Sequence, residues 1–160
     1  MARSTSSWLS GPEPVDSGAA DGYPGQALGL PERGARSLAR TGRRFSALLI
    51  DWFIAYGLAG LAIPFGLLTT DTLRYTWVGS TAVLVIWLLV GAMSVRLFGF
   101  SPGQLALGLQ VIPVDGRLHV GFGRALMRGV LLAFVIPALF MDGDGRGLHD
   151  KATLTAVVRR

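Results

Sequence analysis

RRFSALLID, residues Arg43–Asp51, opens the first long apolar run of the chain, and its reading decides the fold. Two arginines stand at the mouth of the run, and a carboxylate, Asp51, lies roughly two helical turns inside it. The apolar stretch continues from Phe45 to Leu68, broken only by Asp51 and Pro64, so it has the length of a membrane span with a kink at the proline. A second run, Trp77 to Phe98, carries Trp77 and Trp87 and has Arg96 near its end. The chain of 160 residues is 51% hydrophobic and 16% charged. Soluble domains carry about a quarter charged residues, which places this chain in the membrane class.

Charge sets the expected orientation. Arg33, Arg36, Arg40, Arg43 and Arg44 form a collar before the first run with no acid among them. Arg96, Arg117, Arg124 and Arg128 lie near the end of the second run or beyond it, while the loop between the runs has one Arg and one Asp. The positive-inside rule then puts the N-terminus and the 99–124 segment in the cytoplasm and the 69–76 loop outside. The collar reads as a topology signal or as a contact for anionic lipid headgroups. The net charge of +5 comes with no zinc module and no aromatic-basic sheet, so nucleic acid is not an expected partner. With no cysteine, disulfides and thiolate chemistry are excluded. Residues 1–42 read as a Gly/Pro/Ser-rich disordered arm ending in the basic collar, without the apolar core of a signal peptide.

GLQVIPVDGRLHV, residues 108–120, places Asp115-Gly116 between two short apolar stretches, the signal of a small cytoplasmic β-hairpin, with Pro113 confining its strand to an edge. A third apolar run, Gly129 to Met141, is too short to span alone. Helix from about 124 to 141 would nearly span with snorkelling arginines. A full span would put the C-terminus outside, yet the tail carries Lys151, Arg159 and Arg160. Its β-prone stretch, Thr153–Val158, can pair with the hairpin only from the same side. A re-entrant third helix reconciles these observations; a spanning one is the alternative.

An unpaired charge at the depth of Asp51 costs on the order of 2–3 kcal/mol or more, so Asp51 needs a partner. Arg44 shares its helix face but leans toward the headgroups, away from it. Arg128 is the expected partner, and Arg96 and Arg124 are secondary candidates. Asp51 then reads either as a proton- or cation-exchanging group or as half of a buried packing pair. Ala125, Gly129 and Ala133 form a small-residue face for helix packing within the chain or between copies. DGDGRG, residues 142–147, lacks the third acid and closing Glu of a calcium loop, so no metal site is expected. His149 beside Asp150 reads as a capping residue or a proton-transfer pair. No nucleophile triad, phosphate loop or dinucleotide fingerprint appears, so neither an enzyme nor a cofactor is expected.

Three motifs in order resemble the RDD family of small bacterial membrane proteins: Arg44-x-x-Ala47-x-x-x-Asp51, SPGQLALGLQVIPVDG (101–116) followed by Arg124 and Arg128, and GLHDKATLTAVV (147–158). The resemblance covers about 43–158. It implies a polytopic bacterial plasma-membrane protein of a family whose function is mostly unestablished, with transport, including cation/proton exchange, proposed for members. It also marks Arg44, Asp51 and Asp150 as the residues of interest. Leu154 stands where the closing motif usually has Gly.

The expected architecture is an all-α integral membrane protein with helices at about 45–68 and 77–98, a third short hydrophobic helix at 124–141, and a cytoplasmic β element joining the middle loop to the tail. The expected function is ion or small-solute transport through a membrane-embedded Asp, from a homo-oligomer. The alternative is an accessory or assembly subunit of a larger membrane complex.

Overall fold

A computed structural model describes residues 23–134 and 146–160. The expectations for residues 1–22, for the distal part of the third hydrophobic run and for most of DGDGRG lie outside the described residues.

Helix α1 spans Thr41–Gly60. It starts earlier than Phe45 and stops well short of Leu68, because Pro64 has no N–H to continue the ladder and its ring would clash with the carbonyl of Gly60. Tight turns follow, including Leu61 N–H to the Gly57 carbonyl at 3.1 Å and Ala62 N–H to that of Ala59 at 3.1 Å. Short helix α2 (Thr70–Tyr75) is capped by Thr69, whose hydroxyl accepts from Thr72 N–H at 3.0 Å. Helix α3 (Trp77–Phe98) follows at once. At that corner a Cβ on Gly79 would collide with the carbonyls of Thr72 and Leu73, so only glycine fits. Gly99, at φ 78°, ends α3 in the left-handed conformation that glycine adopts without strain.

Helices α1 and α3 pack antiparallel. Ala55 and Ala59 meet Leu73 and Val83 at one end, and Ala47 meets Ala92 and Val95 at the other. Between them Trp52 and Trp87 stand edge to face with ring centroids 5.9 Å apart. Alanines on the contact side of α1 let the backbones approach closely. Outward, Phe45, Leu49, Phe53, Phe65, Leu89, Met93 and Leu97 are exposed. Among the described residues, α3 is the helix long and apolar enough to cross a membrane.

Short helix α4 (Pro102–Ala106) opens with a capping box: Ser101 N–H donates to Gln104 Oε1 at 2.9 Å, and Gln104 N–H to Ser101 Oγ at 3.3 Å. Strand β1 (Leu109–Pro113), helix α5 (Phe122–Ala133), short helix α6 (Leu148–Ala152) and strand β2 (Thr155–Arg159) follow among the described residues. β1 pairs antiparallel with β2, Val111 opposite Val157. The far edge of β2 is taken by the collar: Arg36 N–H donates to the Arg159 carbonyl at 2.8 Å, Ala39 N–H to that of Val157 at 2.9 Å, and Arg159 N–H to that of Ser37 at 2.9 Å. β2 is thereby paired on both edges, and Thr155, Ala156, Val157 and Val158 are buried.

Two expectations are corrected here. The hairpin over 108–120 does not form. β1 pairs with the tail instead, and the turn at Gly116 is fastened toward α5 because Arg124 and Arg117 hold Asp115 at 2.7 and 3.1 Å. The arm is not disordered throughout: residues 36–39 gain backbone hydrogen bonds on β2 that offset the cost of ordering them.

Candidate functional site

α6 carries Asp150 into the centre of the molecule, where its side chain is fully buried. Arg128 of α5 donates from Nε to Asp150 Oδ1 at 2.8 Å, and Arg44 of α1 from Nη1 to Oδ2 at 3.2 Å. These arginine side chains are 6% and 12% exposed. His149 Nε2 lies 3.4 Å from Oδ1, and the Thr155 hydroxyl donates to the same oxygen at 3.4 Å. Arg44 also reaches the Val157 carbonyl at 3.4 Å, which ties α1 to the sheet. Burial alone would push the Asp150 carboxyl up. The charges of Arg128, His149 and Arg44 outweigh burial and hold it below the ordinary carboxylate range.

Asp51 is bonded elsewhere. The Ser101 hydroxyl donates to its Oδ2, and Gly103 N–H to its Oδ1 at 2.6 Å. The approach is so close that a Cβ on Gly103 would collide with the Ala47 carbonyl and stand 3.0 Å from the Asp51 carboxyl carbon. The expected pairing of Asp51 with Arg128 is therefore corrected: Arg128 lies near enough to act on Asp51 through its charge, but its hydrogen bond goes to Asp150. Charge complementarity is met by the group, with two arginines against two aspartates, and not by the one pair foreseen.

Asp51, Arg44, Arg128, His149 and Gln104 line a cavity of about 300 Å³, together with the apolar Trp52, Trp87, Leu84 and Leu132. The Arg44 Nε–H is buried without an acceptor among the described residues.

The sequence model of the RDD family matches residues 38–153, more than half of the chain. The chain belongs to the RDD family. No curated protein and no solved structure matches it. RDD is a membrane family, in keeping with the apolar, outward-facing α3. Of the three residues marked by the resemblance, Arg44 and Asp150 are in direct contact and Asp51 lies on separate donors.

The remaining candidates are scattered. Arg96 is exposed near the end of α3, away from the cluster. Arg124 clamps Asp115. Ala125 is buried in the core shared with α3, and a Cβ on Gly129 would stand 2.7 Å from Leu88 Cδ1, so both serve packing within the chain. Ala133 is exposed at the rim of the cavity and does not extend that contact. Sequence reasoning missed Ser101 and Gln104. Their signal was present: Ser-Pro-Gly-Gln has the spacing of a capping box with proline at the first helical position.

Proposed function

We propose that this RDD protein is a multi-pass plasma-membrane protein with a cytoplasmic N-terminus that moves an ion or small solute across the membrane, by exchange at Asp51. The observation that carries the reading is the cavity beside Asp51. Both oxygens of that carboxylate are held by neutral donors, while the arginine hydrogen bonds are taken by Asp150. Asp51 can therefore exchange a proton or a cation without breaking a salt bridge. α1 and α3 are the two spans, and the tail returns to the side of the collar because β2 pairs with residues 36–39. So few helices make a thin wall for a path, and a homo-oligomer completes it.

Proteoliposomes test this reading. Cation/proton flux is expected from the wild type and should fall to background in Asp51→Asn; unchanged flux would remove Asp51 from the mechanism. A second reading, an accessory subunit of a larger membrane complex, is favoured by one observation. Asp51 fastens α4 to α1 so closely that packing alone accounts for it. Stoichiometric recovery with an unrelated membrane complex, rather than as a homo-oligomer, would select that reading.

A further inference from the structure

A second cavity, of about 480 Å³, is lined by the collar and the tail. Arg40, Arg43 and Arg159 line it, together with Arg33, Glu32 and Tyr23. Glu32 is engaged by Arg33 at 3.2 Å, whereas Arg40, Arg43 and Arg159 make no ion pair among the described residues. Four arginines thus line one concavity with a single acid, Glu32, which Arg33 engages, so among the described residues three positive charges there are left without an ion-pair partner. The position is enforced by the fold: pairing of residues 36–39 with β2 brings Arg159 of the tail beside the collar. The start of α1 adds to the positive field, having neither an acid in its first turn nor a side-chain cap.

We propose that this cavity holds the phosphate of an anionic membrane lipid. Guanidinium forks match the oxygens of a phosphate, and unpaired arginines provide the charge. The choice of a lipid over free phosphate follows from what comes next in the chain. Arg40 is the N-cap of α1 and Arg43 lies in its first turn, so the cavity sits where the apolar run of α1 begins. A phosphate held there stands at the headgroup level of that span, with its acyl chains free to follow the run into the bilayer. The proposal rests on the membrane placement of α1 and is independent of transport.

Native mass spectrometry of protein released from micelles doped with phosphatidylglycerol or phosphatidylcholine tests it. The wild type is expected to retain phosphatidylglycerol selectively. Each arginine beside an anionic headgroup is worth roughly fivefold, so replacing Arg40, Arg43 and Arg159 with Gln should weaken retention about a hundredfold. Replacing Arg36, Arg96 and Arg160 with Gln removes the same charge outside the cavity and should leave retention near wild type. Equal loss in both triple variants, equal retention of phosphatidylcholine, or displacement of the lipid by millimolar inorganic phosphate would overturn the proposal. If the first triple variant does not fold, Arg43→Gln and Arg159→Gln alone decide, each expected to cost about fivefold. Resistance of the wild type to alkaline extraction from membranes scores membrane placement separately.

Discussion

Asp150→Asn removes one charge and almost no volume from the centre of the molecule. Its neighbours make the cost calculable. Arg128 and Arg44 are nearly buried and both donate to this carboxylate, so neither can turn to bulk water when it is neutralised. Breaking a buried pair by removing one partner costs about 3–5 kcal/mol. Asparagine keeps an oxygen for Arg128 Nε and the Thr155 hydroxyl, which places the expected loss near the lower end, about 3 kcal/mol. Adding Arg128→Met should recover part of it, because the second arginine then no longer faces an uncompensated like charge. The double variant should fall short of the sum of the single effects by roughly 1–3 kcal/mol. Unfolding in detergent, followed by circular dichroism, measures all four corners of the cycle. A loss below about 0.5 kcal/mol for Asp150→Asn, the range of ordinary surface changes, would refute the claim that this carboxylate holds α1, α5 and the tail together.

Three further outcomes are expected. The folded Asp150 carboxyl titrates below its unfolded value of about 4. Its stabilisation is thus complete above that pH and lost as pH falls through the folded value, so wild type should lose more stability on acidification than Asp150→Asn in the same melts. Leu154 sits at φ +51° and is half exposed, so Leu154→Gly should relieve left-handed strain and stabilise by about 0.5–1 kcal/mol after the entropy cost of glycine, whereas Leu154→Ala should not. Gly103→Ala should destabilise by about 1–3 kcal/mol or more through collision with the Ala47 carbonyl, while Gly57→Ala, into open space, should be neutral or mildly stabilising; thermal melts of the pair decide.

Much of this arrangement is legible in the sequence, and the parts that are not share a physical cause. The run from Trp77 to Phe98 announces α3 by length and composition alone. Asp51 and Arg128 stand out because charge is expensive in an apolar run, whereas Arg44 and Asp150 are marked by the resemblance to the RDD family. Which carboxylate pairs with which arginine is not a local property. It depends on α6 carrying Asp150 between α1 and α5, a placement that no periodicity in GLHDK specifies. The strand at 109–113 is visible in its residue types and the β-prone tail offers it a partner, but that no second hairpin strand follows is not visible: Asp115-Gly116 signals a turn equally well whether the chain returns as a strand or, with Arg124 holding Asp115, enters a helix. The collar reads only as a charge signal at the end of a disordered arm. Its order comes from backbone bonds to β2, which composition cannot register. Leu154 shows the reverse case, where a departure from the family pattern marks a real left-handed position that glycine would fill without strain.

The central claim is that the chain's two ends meet in one sheet on the cytoplasmic side and hold the charged cluster there. Because the chain has no cysteine, single introduced cysteines at Glu32, Asp71 and Arg160 test it directly with a membrane-impermeant thiol reagent. Glu32→Cys and Arg160→Cys should label only from the cytoplasmic face and Asp71→Cys only from the outer face. Labelling of Arg160→Cys from the outer face, with Glu32→Cys inside, would contradict the account.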